Sequence, residues 1–199
     1  MTSKTSSKQR GVASIEFPFI VVGSLVIVFG LVAIYRLMYT QTRLDSTAFM
    51  LADIVARTFD DKELNPVMTS DGRSYAQFTA RDLLTIARRT LPMGIAPENV
   101  GLKLEMLRQN SASGDIERLP PLTDGANCIA SSSINNLSDL APKSERDEKA
   151  LKGRTATLVQ ATLCVENPFS LDSQFEFTGL VLPNRLTSKA VMIGGRYAL

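Results

Sequence analysis

The sequence predicts an α+β fold, in which a long N-terminal transmembrane helix continues as an amphipathic helix and packs on a small antiparallel sheet. Three observations support this prediction. Residues 17–35 carry no charged side chain. Residues 36–59 place apolar side chains at helical spacing. After residue 99 the pattern changes to the alternation of apolar and polar side chains that is typical of strands.

Residues 12–35 are predicted to form the transmembrane helix. Twenty-four residues make about 36 Å of helix, and the apolar core of a bilayer is about 30 Å thick. A cleaved secretory signal is the alternative, but its apolar region is about 7–15 residues long and is followed by small residues. Here the apolar run is longer, and residues 36–39 are not small. We therefore expect a segment that spans the membrane.

The charges around this segment predict its orientation. Residues 1–11 contain three basic side chains and no acidic one, whereas only Arg36 and Arg43 follow the span closely. This distribution favours a cytoplasmic N-terminus, which leaves residues 36–199 as an extracytoplasmic α+β domain in the periplasm. That domain is close to neutral, because the three basic residues of the tail and the acidic Glu16 together account for the formal net charge of +2 of the whole chain. No basic face for nucleic acid is expected.

Glu16 lies at the start of the apolar run, where a carboxylate costs free energy unless it remains hydrated or finds a partner. One interpretation is that the Glu16 carboxylate reaches the lipid headgroups and remains hydrated. The other is that the chain is cut after Gly11, so that Val12 becomes the first residue and carries a new α-amine. The Glu16 of a neighbouring subunit is then the natural partner of that amine, and the pair fixes the register between packed helices.

A basic tail, the motif GVASIEF at residues 11–17 and an apolar span together resemble the type III signal sequence of type IV pilins. More narrowly, they resemble the TadE/TadF-like pseudopilins of the tight-adherence (Flp, type IVc) pilus system. Major Flp pilins are much shorter, so the length of the chain suits a minor pseudopilin, and within that group the resemblance is taken as TadF-like. Pro18 departs from the motif, because a proline in a helix removes a backbone donor and introduces a kink.

The resemblance implies that a prepilin peptidase cleaves between Gly11 and Val12, which makes residues 1–11 a cytoplasmic leader. It assigns Glu16 and Phe17 to the processing motif and Glu16 to assembly. It also implies a pilin-like fold and a single-pass protein of the bacterial inner membrane that is incorporated into a surface pilus. The implied partners are the peptidase, other pilins or pseudopilins, inner-membrane pilus assembly proteins and membrane lipid.

Two other functions remain open at this stage. One is an uncleaved, membrane-anchored periplasmic binding or scaffold module unrelated to pili. The other is a membrane-tethered enzyme such as a serine–lysine hydrolase, although no motif of fixed spacing supports it. The sequence contains no histidine, which excludes Ser–His and Cys–His catalysis and the common zinc sites. We therefore predict no catalytic residue, no metal site and no cofactor.

The predicted elements after the span are two helices followed by strands. Apolar residues of the first helix, 36–59, form a stripe that we expect to pack on the protein's own domain. They are Leu37, Leu44, Ala48, Leu51, Ala52 and Val55. Residues 60–74 are predicted to form a loop, and Ser74 is a candidate N-cap of a second helix at 75–91. The second helix places Phe78, Leu84, Ala87 and Leu91 towards one side.

The strands are predicted from alternation and from β-branched composition. Val100, Leu102, Leu104 and Met106 alternate with polar residues or glycine and indicate a half-buried strand. Residues 110–114 are predicted to turn the chain and 116–119 to pair back as a hairpin. Residues 120–154 are predicted to lack regular secondary structure and to include a mobile loop near 129–154. Further strands are predicted at 155–165, 175–182 and 189–193.

The sequence contains two cysteines, and their spacing excludes a CxxC metal or redox site. In an oxidising periplasm, Cys128 and Cys164 are expected to form one disulfide that pins the segment after residue 128 to a strand. Two unlinked buried thiols are the alternative. Either arrangement has a structural role.

Overall fold

The computed structural model describes residues 13–58, 75–110, 114–129, 132–143, 153, 155–168 and 183–194. For residues 13–15 and 75–78 it describes the backbone alone. The described residues belong to two compact units. The first holds the chain up to Met38, and the second holds the chain from Tyr39 onward.

Helix α1 extends over Ala13–Thr58 as one element of 46 residues. Beyond Gly30 the helix contains neither glycine nor proline, so nothing in the local sequence interrupts its backbone hydrogen bonds. The prediction of a long helix that continues past the apolar segment is confirmed. Leu37 is half-buried and belongs to the first unit.

The part of α1 in the second unit buries the predicted apolar stripe. Its members have at most 1 % of their surface exposed, and they are Leu44, Ala48, Leu51, Ala52 and Val55. Their spacing of three or four residues places them on one side of the helix. The stripe therefore packs on the protein's own domain, as predicted.

Helix α2, Tyr75–Thr90, lies beside this part of α1. The hydroxyls of Thr47 in α1 and Thr90 in α2 are 3.1 Å apart and share a hydrogen bond. Leu84 and Ala87 are fully buried, which confirms the predicted side of the helix. The side chain of Phe78, and Ser74 with the predicted loop at 60–74, lie outside what the structure describes.

The strands in the described part of the chain all pair antiparallel. The strands are β1 Val100–Gln109, β2 Ile116–Arg118, β3 Leu122–Gly125, β4 Leu158–Glu166 and β5 Arg185–Ile193. Their order is β2-β1-β4-β5, and β3 also pairs with β1. The predicted hairpin is present: Leu107 pairs with Arg118, and Gly114 N–H donates to the Asn110 carbonyl at 2.9 Å. Helices and an antiparallel sheet confirm the predicted α+β class.

One face of the sheet, here called the helix face, meets α1 and α2. The predicted residues Val100, Leu102, Leu104 and Met106 are buried on this face. Val159, Ala161, Leu163 and Val165 lie across from them on β4. Val55 of α1, Leu104 and Val159 line one small cavity of about 10 Å³, which shows how closely the helix approaches the strands.

The opposite face, here called the strap face, carries the other side chains of the same strands. A segment that we name the strap, comprising the described residues 126–129 and 132–143, crosses this face. It contains a 3₁₀ helix at Ile134–Leu140, and Ser133 Oγ accepts a hydrogen bond from Asn135 N–H at 3.4 Å. Ile134 is fully buried and packs with Leu107 and Leu158 of the sheet. The strap therefore forms a second layer of the core.

Several element boundaries differ from the predictions. The region 120–154, predicted to be irregular, contains β3 and the 3₁₀ helix. Strand β4 begins at Leu158 instead of residue 155, and Thr155 forms an isolated bridge with Lys143 outside the strand. Strand β5 begins four residues before the predicted 189, and an Arg185–Glu166 ion pair joins its first residue to β4. The predicted strand at 175–182 lies outside the described residues.

Candidate processing and assembly segment

Two of the four candidate processing residues, Glu16 and Phe17, lie in the described part of α1. The helix begins at Ala13, so Glu16 is in its first turn, where its carboxylate faces the positive end of the helix dipole. The side chains of Glu16 and Phe17 are exposed, Phe17 to 70 %. Gly11 and Val12 lie outside the described residues.

The segment after Glu16 exposes apolar side chains around the whole helix. Those more than half exposed before Arg36 are Phe17, Phe19, Ile20, Val22, Val26, Ile27, Val28, Leu31, Ile34 and Tyr35. Only 6 % of the most apolar 18-residue window is buried inside the protein. An all-apolar helix requires an apolar environment on every side, and a lipid bilayer supplies one. By length and composition, this helix can cross a membrane.

A polar side chain within the apolar segment, Ser24, forms its hydrogen bond inside the helix. The hydroxyl of Ser24 donates to the Val21 carbonyl at 2.8 Å, which removes an unpaired donor from the apolar surface. Pro18 lies inside α1, and the helix continues on both sides of it. Since proline has no N–H, the carbonyl of Ser14 has no helical donor there. The departure from the motif therefore affects only the first two turns.

Glu16 is an unpaired charge in the described part of the chain. No basic side chain among the described residues forms an ion pair with it. An ionised carboxylate at the centre of a spanning helix costs about 2.5–3.5 kcal/mol, and less near the interface. A cation supplied from elsewhere would reduce this cost.

The two cysteines are joined. The Sγ atoms of Cys128 and Cys164 are 1.98 Å apart, and the Cα atoms are 5.3 Å apart. The predicted disulfide is confirmed, and the alternative of two unlinked thiols is wrong. The bond connects the strap to β4, so its role in the fold is to hold the strap against the sheet.

A buried polar cluster lies on the strap face, and the sequence analysis did not predict it. Glu105 is only 1 % exposed, and its carboxylate accepts hydrogen bonds from Arg118 and, at 3.1 Å, from Gln160 Nε2. Lys103 Nζ lies 3.5 Å from the same carboxylate. Two cations and an amide thus compensate the buried charge, as burial of a carboxylate requires.

The same cluster holds the strap by hydrogen bonds. Gln160 Nε2 also donates to the Ser132 carbonyl at 3.2 Å, and Lys189 Nζ donates to Ser132 Oγ at 2.6 Å. Ser132 therefore contacts side chains from both β4 and β5. With the disulfide, these bonds give the strap polar and covalent attachments in addition to its apolar packing.

Among the described residues, no three His, Cys, Asp or Glu side chains are grouped so that they could hold a metal ion. Within the described part of the chain, the features that bear on function are an exposed apolar helix with a carboxylate in its first turn and a domain that holds a disulfide and a buried charged cluster.

Comparison with known proteins identifies the family. No curated protein matches this chain significantly, and no solved structure does. A family model described as "Putative tight adherence pilin protein F" (TadF) matches residues 4–194. The match covers nearly the whole sequence, from the basic tail to the end of the described sheet. The chain therefore belongs to the TadF family of tight-adherence pilins.

Proposed function

We propose that this protein is a minor pilin that a prepilin peptidase cleaves between Gly11 and Val12 and that then takes part in assembling a type IVc (Flp/Tad) adhesion pilus. The observation that carries the proposal is the position of Glu16. It is the only acidic residue of a helix surface that is otherwise apolar as far as Tyr35, and it stands five residues after Gly11. Membership of the TadF family supports the same role.

Cleavage supplies a cation that can pair with Glu16. Removal of residues 1–11 leaves an α-amine on Val12, four residues before Glu16 in the mature chain. In a bundle of pilin helices, this amine pairs with the Glu16 carboxylate of an adjacent subunit and offsets part of its desolvation cost. The pair also sets the axial register, because any other offset between the helices leaves both charges in an apolar environment.

The proposed topology follows from the same segment. The N-terminus lies in the cytoplasm, α1 crosses the bacterial inner membrane once, and the domain with the sheet lies in the periplasm before incorporation into a pilus. A disulfide in that domain agrees with an oxidising compartment. The partners are the prepilin peptidase, other pilins or pseudopilins and the inner-membrane assembly proteins.

The alternative functions have less support. Membership of a tight-adherence pilin family argues against a binding or scaffold module unrelated to pili. It also implies a structural, non-enzymatic protein. A further alternative is a protein of the pilus system that stays anchored and uncleaved, and its N-terminus would distinguish it from the cleaved pilin proposed here.

The test is the N-terminus of the protein recovered from cells with and without a prepilin peptidase. Sequencing or intact mass should show a chain that starts at Val12 only when the peptidase is present. A Gly11→Phe variant should stay uncut, whereas Ser7→Phe, the same kind of enlargement within the leader, should be processed normally. A start at Met1 or Thr2 in the presence of an active peptidase would remove the proposal.

A further inference from the structure

Tyr39 and Arg43 form a pair on α1, one turn apart. Arg43 Nε donates a hydrogen bond to the Tyr39 hydroxyl at 3.2 Å, and Arg43 Cζ lies 5.4 Å from the centroid of the tyrosine ring. Both side chains are exposed, Tyr39 to 42 %. Thr40, Leu44 and Thr47 are buried against the domain. The pair thus lies on the side of α1 that faces away from its own domain.

The pair lies at the level of the lipid headgroups when the apolar segment spans a bilayer. The uncharged run ends at Tyr35, and Tyr39 follows four residues later, which is about 6 Å along a helix. The headgroup region extends roughly 5–8 Å beyond the hydrocarbon core on each side. Side chains on a helix lean towards its N-terminus, and the hydrogen bond to Tyr39 shows that Arg43 does so. The guanidinium is therefore held at the depth of Tyr39.

The Arg43 guanidinium is held in one orientation, but not all of its hydrogen-bond donors are used within the described part of the chain. Its Nε is used by Tyr39, while neither terminal nitrogen has a hydrogen-bond partner in the described part of the chain. No acid among the described residues forms an ion pair with Arg43, and the Asp45 carboxylate accepts a hydrogen bond from Gln41 Nε2 at 2.9 Å. A guanidinium presents a planar fork of donors that matches the oxygens of a phosphate. Tyrosine rings are enriched at this depth in membranes.

We propose that Arg43, held in place by Tyr39, binds the phosphate of a phospholipid headgroup in the leaflet on the side of the folded domain. The contact fixes how deeply α1 sits in the membrane before the protein is assembled. The inference depends on the membrane span of α1, and it does not depend on cleavage after Gly11 or on the Glu16 pair. The ligand is a lipid phosphate, which distinguishes this site from one for free phosphate.

The test measures the distance between arginine carbon and lipid phosphorus. The full-length, uncut chain, with ¹³C in its arginine guanidinium groups, is inserted into vesicles of phosphatidylglycerol and phosphatidylcholine in phosphate-free buffer. Solid-state NMR then records the fraction of the ¹³C guanidinium signal that is lost through dipolar coupling to nearby ³¹P, here called the dephased fraction. Lipid is the only source of phosphorus, so dephasing reports headgroup contact alone.

The expected result is a loss of part of the dephased signal in Arg43→Gln. The matched control is Arg57→Gln, the same change on the same helix. Arg57 pairs with Asp53 at 2.7 Å and lies about 21 Å further from the membrane, so Arg57→Gln should keep all of the dephased signal. The two variants contain the same number of arginines, so their dephased fractions are compared directly. Arg36 contributes equally to all three samples and cancels in the comparison. A dephased fraction in Arg43→Gln that equals the one in Arg57→Gln overturns the proposal.

A second variant tests the role of Tyr39. Tyr39→Phe keeps the ring but removes the oxygen that accepts the Arg43 Nε–H. We expect the dephased fraction to fall between those of the wild type and Arg43→Gln, since the guanidinium loses its fixed orientation. Full dephasing in Tyr39→Phe would overturn the positioning role of Tyr39. Because no peptidase is present, none of these results reports on the proposed processing.

Discussion

Gly101 in β1 and Cys164 in β4 are directly opposed partners in the antiparallel ladder. The chain crosses above this pair on its way from β3 to the strap. A Cβ atom on Gly101 would lie 2.0 Å from the Ala126 carbonyl oxygen, a distance that no real contact reaches. The missing side chain at Gly101 thus lets the backbone approach closely enough for Cys128 to reach Cys164.

A methyl group at Gly101 should therefore weaken the domain. Gly101→Ala forces the Ala126 backbone away from β1, and overpacking of this kind costs about 1–3 kcal/mol. We expect a lower thermal unfolding midpoint of the full-length protein in detergent and a larger fraction of alkylatable thiol, because the two cysteines no longer meet correctly. The control is Gly30→Ala, which adds the same methyl where nothing lies within 4 Å. Equal stability of the Gly101→Ala variant and the wild type would contradict this account.

The disulfide should stabilise the domain mainly by restricting the unfolded chain. The bond closes a loop with a sequence separation of 36, for which the entropic estimate is about 4 kcal/mol. We expect the Cys128→Ser/Cys164→Ser double variant to lose stability of this order in denaturant titrations. Wild-type protein titrated in the presence of a reductant is the control and should match the variant. If both retain the full stability of the oxidised protein, the strap is held by its other contacts alone.

The buried carboxylate of Glu105 should matter more than an exposed one in a similar pair. Glu105→Ala leaves the Gln160 amide without one acceptor and removes the buried partner of Arg118, which should cost about 1–3 kcal/mol. Arg118 is 34 % exposed at its side chain and regains hydration, which keeps the loss within this range.

Glu117→Ala is the matched control for that variant. Glu117 also pairs with an arginine, Arg108 Nη2 at 3.4 Å, but its side chain is 46 % exposed. Its removal should change stability by about 0.5 kcal/mol or less. Both variants are compared by thermal unfolding under the same conditions. Similar losses in the two would show that burial of Glu105 under the strap has no energetic consequence.

Sequence patterns were sufficient where the partners of a residue lie nearby in the chain. The stripe from Leu44 to Val55 repeats every three or four residues, so its burial follows from the period of the helix alone. Strand β1 and its hairpin with β2 are likewise contiguous. The motif from Gly11 to Phe17 is local as well, which is why it pointed to the family before any fold was known.

Features that depend on distant partners could not be predicted. Two of the four residues of β3, Asp124 and Gly125, are typical of turns, and only pairing with β1 makes them part of a strand. The alternation of β1 placed Glu105 on its polar face, which suggests exposure. Its partner Gln160 is 55 residues away in the sequence, and Ser132 of the strap is 28 residues from Gln160. Helix and strand periodicity relates only residues a few positions apart, so it could not predict these contacts.

The charge of Glu16 should be required for assembly and not for processing. Glu16→Ala removes the carboxylate that the proposed Val12 amine of a neighbouring subunit needs, while the peptidase still finds Gly11. We expect the variant to be cleaved to a chain that starts at Val12, to remain in the membrane fraction and to be depleted from sheared pilus material. Glu16→Gln keeps the size of the side chain and should fail in the same way, because the pairing depends on charge. Asp53→Asn is a matched removal of one carboxylate from the same helix and should assemble normally, since Asp53 pairs with Arg57 within the chain at 2.7 Å. Normal incorporation of both Glu16 variants would show that the carboxylate has no partner in the assembly.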